Sequence, residues 1–129
     1  MDEQSGRQLV EALYNEVWKS GSLDKVAKFF SKDLTGFVDQ NLVTYEDVVA
    51  SVAQFHKRIK AVSFTIPEVV AENNKVFAVV NIKSTLENEK QWFTSSGVMY
   101  EIEDQKIIKM RVFSSYPSKV NSGPVETEA

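Results

Sequence analysis

The sequence predicts an α+β domain in which three N-terminal helices pack on one mostly antiparallel sheet. Apolar residues recur at helical spacing in the first half of the chain, and from residue 62 onward they alternate between turn signals. A chain of 129 residues, 43% of them hydrophobic, is long enough for one compact core. We therefore expect a single domain over residues 1–117 and a flexible polar tail over residues 118–129.

Composition argues against several classes of function. The net charge of −3 disfavours nucleic acid as a partner. The chain has no cysteine and one histidine, and its acids show no ligand spacing, so we expect no metal and a cytoplasmic location. No nucleotide-binding or serine-hydrolase motif occurs, so we expect no cofactor. The start MDEQSGRQ is unlike a signal peptide and no apolar run is bilayer-long, so we expect no membrane association.

Three helices are predicted before the sheet. An apolar stripe from Leu9 to Trp18 marks the first helix, which ends near Gly21. Ser22 is predicted to cap a second, shorter helix through its side chain. In the segment TYED, residues 44–47, a threonine and an aspartate at capping-box spacing predict the start of a third helix.

Four long strand segments follow, separated by polar turns. They are residues 62–72, 76–86, 91–103 and 106–116. Because they are consecutive in the chain, an antiparallel meander is the expected arrangement. Pro67 predicts an edge position or a bulge in the first segment, and Asn73-Asn74 predicts a tight turn after it.

The predicted sheet is apolar on both faces. Val76, Ala78 and Val80 are expected to point inward, whereas Phe77 and Phe113 point to the opposite side. Helices can cover only one face, so a symmetric homodimer through the outer face is the simplest partner. Singly exposed apolar residues are the other explanation.

Two segments, LVEALYNEVWKSGSLDKVAKFFSKD near the start and VMYEIEDQKIIKMRVF near the end, stand out in this order of elements. Together with that order they resemble the nuclear-transport-factor-two-like superfamily, which includes ketosteroid isomerases and SnoaL-like polyketide cyclases. The resemblance covers nearly all of residues 8–116. It implies a cone-shaped α+β barrel with a ligand pocket between a curved sheet and the helices. The fold alone implies no reaction.

The resemblance also implies candidate catalytic positions. Tyr14 lies where the isomerases carry a hydrogen-bonding tyrosine, although it also belongs to the apolar stripe of the first helix and can be an ordinary core residue. Their base position falls on Val38 and leaves Asp39 one residue late. A bulge at Gly36 would turn Asp39 into the pocket, whereas a regular strand would leave Val38 in that place and Asp39 on the surface.

Other parts of the family pattern are missing. The second acid of the isomerases aligns with Gly97 or Val98, and the last strand lacks the Asp or His of the cyclases. His56, at the margin of the third helix, is a candidate auxiliary acid or base, although a half-exposed packed side chain is the simpler interpretation.

Two hypotheses follow. The first is a protein that binds a small apolar ligand, with cofactor-independent proton transfer of the isomerase, cyclase or dehydratase type; Asp39 would be the base, Tyr14 the hydrogen-bond donor and His56 the auxiliary group. The predicted ligand-binding residues are Trp18, Phe30, Val38, Phe55, Val80, Met99, Met110, Val112 and Ser114. The second is a catalytically silent dimerisation or protein-interaction module whose pocket is filled by its own side chains. An open pocket with Asp39 inward favours the first, and a filled core with Asp39 in solvent favours the second.

Overall fold

The computed structural model describes residues 1–114 and 118–119 of the chain. The helical elements are α1 (Glu3–Leu13), a π-helical segment (Tyr14–Lys19), a 3₁₀ turn (Leu23–Lys25), α2 (Val26–Phe29) and α3 (Tyr45–Arg58). The strands are β1 (Phe30–Val38), β2 (Asn41–Thr44), β3 (Ile59–Glu72), β4 (Lys75–Leu86), β5 (Gln91–Glu103), β6 (Lys106–Ser114) and β7 (Ser118–Lys119). Of the predicted tail, residues 120–129 lie outside the described residues.

The first helix starts earlier than its apolar stripe. Asp2 caps it by accepting a hydrogen bond from the backbone N–H of Ser5 at 2.8 Å. The middle of the predicted stripe is buried, with Leu13 and Val17 fully inaccessible, and its ends, Leu9 and Trp18, are partly buried. After Leu13 the helix continues as the π-helical segment, and Gly21, whose φ is +68°, ends it as predicted.

The second helix is shorter than a regular helix and is capped differently from the prediction. The side chain of Ser22 makes no capping hydrogen bond; its backbone carbonyl accepts from the N–H of Lys25 at 3.1 Å and closes the 3₁₀ turn instead. The four residues of α2 then lead directly into β1, and Phe29 and Phe30 are buried at that junction.

The third helix begins with the predicted capping box. Asp47 accepts from the backbone N–H of Thr44 at 2.9 Å, and the Thr44 hydroxyl accepts from the backbone N–H of Asp47 at 3.4 Å. Val48 and Val52 on its inner side are buried. The helix therefore packs its inner side, with these two valines, on the core.

The sheet is mixed and open, with strand order β2-β1-β6-β5-β4-β3. The meander from β3 to β6 confirms the antiparallel prediction, but β1 pairs with β6 in parallel. Among residues 1–114 and 118–119, β2 and β3 are the two edges of the strand order, so these residues form an open sheet and not the expected closed barrel. Pro67 lies on the edge strand β3, within a register shift between Thr65 and Glu68. Both the predicted edge position and the predicted bulge are therefore confirmed.

The sheet extends into the predicted tail. Ser118 and Lys119 form β7, which pairs antiparallel with Phe93 and Trp92 at the start of β5. None of the helices in the described part of the chain is long and apolar enough to cross a bilayer.

Candidate functional site

A cavity of about 230 Å³, here called the inner cavity, lies between the inner face of the sheet and the helices. From the helices it is lined by Tyr14, Trp18, Asp47, Val48, Ser51 and Phe55. From the strands it is lined by Phe30, Val38, Val43, Phe64, Ile82, Ser96, Tyr100, Met110 and Val112. The bulky side chains that could have filled this space instead form its walls; they are Trp18, Phe30, Phe55 and Phe64.

A second, wider space of about 1070 Å³, here called the outer cleft, adjoins the inner cavity. Its additional lining includes Leu42, Arg58, Ile59, Leu86 and Trp92. The two spaces share Trp18, Val43, Asp47, Ser51 and Phe55, which we call the neck. A molecule too long for the inner cavity could therefore extend through the neck into the cleft.

Aromatic side chains form two perpendicular pairs around these spaces. The rings of Tyr14 and Phe64 meet edge to face with centroids 5.0 Å apart. At the neck, Trp18 and Phe55 do the same at 5.6 Å and 87°. Tyr14 and Trp18 both come from the π-helical segment, a geometry that is frequent at functional sites.

Two buried tyrosines supply phenolic hydroxyl groups to the inner cavity. Tyr14 is 7% exposed and Tyr100 is 2% exposed. Burial raises the pKa of Tyr14 to about 12, and a hydrogen-bonding interaction with Tyr100 offsets part of this effect. Burial, followed by the charge of Tyr14 and the hydrogen-bonding interaction with it, raises the pKa of Tyr100 well above its usual value. Both hydroxyls are therefore protonated at neutral pH.

The remaining polar lining consists of one carboxylate and two hydroxyls. Asp47 lies in the first turn of α3 at the neck, and Ser51 lies one helical turn later. Ser96, on β5, is 7% exposed. No lysine, arginine or histidine is among the residues that line the inner cavity in the described part of the chain.

Several residues predicted from sequence lie at the inner cavity. Besides Tyr14, they are Trp18, Phe30, Val38, Phe55, Met110 and Val112. All are on the inner side of the π-helical segment, α3 or the sheet, where helical spacing and strand alternation place them.

Asp39 does not lie at the cavity, so its predicted role as the pocket base is wrong. Residues 35–38 of β1 pair one to one with residues 109–112 of β6, so no extra residue is inserted at Gly36. Val38 points inward, and the chain reverses at Asp39, which is exposed with φ +56°. Its backbone N–H donates to the carbonyl of Val112 at 2.7 Å, and its carboxylate accepts from the N–H of Ser114 at 2.9 Å. Asp39 therefore extends the β1–β6 pairing at the surface.

His56 is also outside both spaces, contrary to its predicted catalytic role. It is exposed on α3, and its ring packs on Gly21: a Cβ added at Gly21 would lie 2.3 Å from the His56 Cγ. Since α3 turns by about 100° per residue, Phe55 faces the neck while its neighbour faces the end of the π-helical segment.

Three predicted ligand-binding residues are placed elsewhere by the strands. Met99 is 37% exposed on the outer face, because its neighbours Val98 and Tyr100 take the inward positions. Val80 is fully buried in the core and does not line the cavity. Ser114 is exposed at the end of β6, beside Asp39.

Sequence reasoning missed Tyr100 and Asp47 as cavity residues. The alternation Val98, Tyr100, Ile102 is a signal that could have assigned Tyr100 to the inward face. Because Met99, on the opposite face, is equally apolar, alternation does not distinguish the two faces. Asp47 was explained completely by the capping box, and nothing in the sequence reports that the start of α3 faces a cavity.

The fold and the cavity define an α+β protein of the cone-shaped, nuclear-transport-factor-two-like class. Residues 10–110 match the model of the SnoaL-like domain, and the chain belongs to that family. A search of curated protein sequences gives no match.

Solved structures confirm the fold. AclR, a candidate hydroxylase from Streptomyces galilaeus, superposes with a TM-score of 0.76 at 14% identity, over 88% of this chain and 80% of AclR. A candidate SnoaL-like polyketide cyclase from Jannaschia sp. CCS1 gives 0.72 at 16% identity, over 88% and 87% of the two chains. An LEH-like epoxide hydrolase of M. tuberculosis gives 0.71 at 14% identity, over 88% and 84%. Because these names cover three chemistries, the reaction must be argued from this chain's own residues.

Proposed function

We propose that the inner cavity binds a small apolar molecule that carries a carbonyl or hydroxyl oxygen. The observation behind this proposal is the pair of buried, protonated tyrosines, Tyr14 and Tyr100, in a wall that is otherwise mainly apolar. A few polar groups in an apolar cavity fix the orientation of a ligand. A neutral tyrosine hydroxyl can donate to a carbonyl oxygen, and it can donate to or accept from a ligand hydroxyl.

Binding is better supported than acid–base catalysis. Asp39 and His56, the predicted base and auxiliary group, lie outside the cavity. Tyr14, with a pKa of about 12, serves as a hydrogen-bond donor at neutral pH and does not serve as a base. The isomerase, cyclase or dehydratase chemistry of the first hypothesis thus lacks its predicted proton acceptor.

Thermal unfolding with two matched compounds tests this proposal. 1-Tetralone is a bicyclic ketone, and tetralin is the same bicycle without the oxygen. At about ten times its Kd, a ligand stabilises the folded state by roughly 1.4 kcal/mol, so Kd can be obtained from a titration of Tm. We expect 1-tetralone to bind more tightly than tetralin.

Phenylalanine variants test the role of the tyrosines. Tyr14→Phe and Tyr100→Phe should each weaken binding of 1-tetralone about fivefold, since a hydrogen bond contributes about 1 kcal/mol, and should change tetralin binding little. Tyr45→Phe is the matched control, because Tyr45 is half-buried on α3 and lines neither space. No stabilisation by either compound would refute the proposal. Equal binding of the two compounds would refute the part assigned to the tyrosines.

A second proposal, from the interaction-module hypothesis, concerns the outer face of the sheet. Strand pairing aligns one row of residues across six strands: Leu42, Phe37, Arg111, Met99, Phe77 and Val70. The row is apolar except for one arginine, whose guanidinium lies 4.7 Å from the ring centroid of Phe37. Its two ends, Leu42 and Val70, are 64% and 62% exposed. We propose that this row is the interface of a homodimer, in which each copy covers the other.

Sedimentation velocity tests the dimer. Met99→Lys places a charge at the middle of the row and should convert a dimer to a monomer. Leu23→Lys is the matched control, because Leu23 is 46% exposed but lies away from the sheet. A wild-type protein that sediments as a monomer up to its solubility limit would contradict the proposal.

A further inference from the structure

At the neck, one carboxylate and two aromatic rings line the boundary between the inner cavity and the outer cleft. Trp18 and Phe55 meet there at 87°, so they form two walls of a corner. Asp47 and the Ser51 hydroxyl line the same boundary. The two ring faces carry partial negative charge and the carboxylate carries a full negative charge, so these three groups favour a cation, against the smaller positive charge at the N-terminus of α3.

The carboxylate of Asp47 retains a free oxygen. Its Oδ2 accepts the hydrogen bonds from the Thr44 N–H and hydroxyl, at 2.9 and 3.2 Å. Its Oδ1 receives no hydrogen bond or ion pair from the residues that the structure describes. The capping box thus holds the carboxylate in place through one oxygen and leaves the other available to a ligand.

Among the described residues, the one cationic residue that lines the outer cleft is Arg58, and it lies at the far end of α3 from the neck. Arg58, the other charged residue of the outer cleft, lies at the last position of α3, roughly 16 Å along the helix from Asp47. No cationic residue lines the inner cavity in the described part of the chain. A ligand cation at the neck therefore meets attraction from Asp47 and little repulsion from Arg58, whereas an anion there would meet the reverse.

We propose that the neck is an ammonium site, and that the ligand of the inner cavity is an amphipathic amine. Its apolar body lies in the inner cavity, and its protonated nitrogen lies between Asp47 and the Trp18–Phe55 corner. The inference rests on the proposed binding function and adds the charge of the ligand to it. Because Asp47 and Ser51 are exposed and the two aromatic residues half-buried, the ammonium group keeps part of its hydration and avoids the full cost of burial.

Two compounds of equal size separate this inference from the binding function. 1-Aminotetralin is a cation at neutral pH, and 1-tetralol replaces the amine with a neutral hydroxyl. We expect the amine to bind the wild-type protein at least fivefold more tightly than the alcohol, from the combined carboxylate and cation–π contacts, and we expect added salt to reduce this ratio. The readout is the ratio of the two Kd values measured by calorimetry.

Substitutions at Asp47 provide a matched pair. Glutamate and glutamine are both capping-box residues at this helix position, so Asp47→Glu and Asp47→Gln should both fold. The Glu variant should keep the preference for the amine, whereas the Gln variant should bind both compounds equally. Phe55→Leu, which keeps an apolar neck without the ring, should lower the ratio about twofold.

Three results would overturn the inference. If the alcohol binds as tightly as the amine, the neck is not an ammonium site, although the binding function survives. If the Gln variant keeps the preference, the charge of Asp47 is not its source. If neither compound, nor 1-tetralone, binds at all, the proposed binding function fails together with the ammonium site.

Discussion

Removal of the Tyr14 hydroxyl should make the protein more resistant to alkali. The pKa of Tyr14 is raised from 10.0 to about 12 because the side chain is buried. In the unfolded chain the same group ionises with a pKa near 10. Between these values the unfolded state loses its proton first, so the stability contributed by the neutral buried group is complete below about pH 10 and is lost as pH rises toward 12.

The size of the effect follows from the two pKa values. A rise from 10.0 to about 12 corresponds to about 2.7 kcal/mol in the limit of high pH, and about half of this is lost at pH 11. Tyr100 acts in the same direction, since its pKa is also raised and part of the rise comes from Tyr14. Between pH 8 and pH 11, the free energy of unfolding of the wild-type protein should therefore fall by at least about 1.3 kcal/mol more than that of Tyr14→Phe.

Urea unfolding, followed by the fluorescence of Trp18 and Trp92, measures this difference. At pH 8 the variant should be less stable by about 1 kcal/mol, because one buried hydrogen-bonding group is gone. At pH 11 the variant should be as stable as the wild-type protein or more stable. If wild type and variant lose the same free energy of unfolding between the two pH values, Tyr14 is not buried in the folded protein, and the donor role argued for it fails.

Two further predictions concern the elements that position the site. Gly36→Ala should destabilise the fold by roughly 2–4 kcal/mol, since its Cβ would lie 2.4 Å from the backbone oxygen of Met110. Gly97→Ala is the control and should cost under about 1 kcal/mol, because its Cβ would meet only the ring end of Phe77 at 3.2 Å. Equal losses of unfolding free energy in the two variants, measured with urea, would contradict this prediction. Thr44→Ala should cost about 1 kcal/mol by removing the cap of α3, and an unchanged midpoint would argue against the capping box.

Local signals predicted most of the fold. The meander, the capping box and the turns depend on residues close together in the chain, and each turn contains a residue with positive φ, such as Asn73 at +57° and Asp104 at +53°. The β1–β6 pairing is different, because it joins segments more than 70 residues apart and runs in parallel. No local pattern reports such a contact, so neither the mixed sheet nor the position of Asp39 could be derived from the sequence.

The site was harder to predict for the same reason. Tyr14 and Trp18 were found because they belong to a strongly periodic helix. On β5 both Met99 and Tyr100 are apolar, so alternation alone cannot assign them to a face; the direct pairing of Tyr100 with Met110 does so in the structure. The resemblance to the isomerases implies a catalytic role for Asp39, but the carboxylate that lines the cavity belongs to Asp47, on a different element.

Strand alternation keeps the two proposed activities of this protein apart. On β5, Ser96 and Tyr100 line the inner cavity, and Met99 belongs to the outer row. Neighbouring residues of a strand point to opposite faces, so a substitution at Met99 should change the proposed dimer interface without changing the walls of the cavity. Asp47 lies on α3 and lines the inner cavity, whereas Met99 does not line it and is 37% exposed, so amine binding at the proposed ammonium site should not depend on Met99. Loss of self-association with unchanged amine binding in Met99→Lys is therefore the combination that the architecture of the sheet requires.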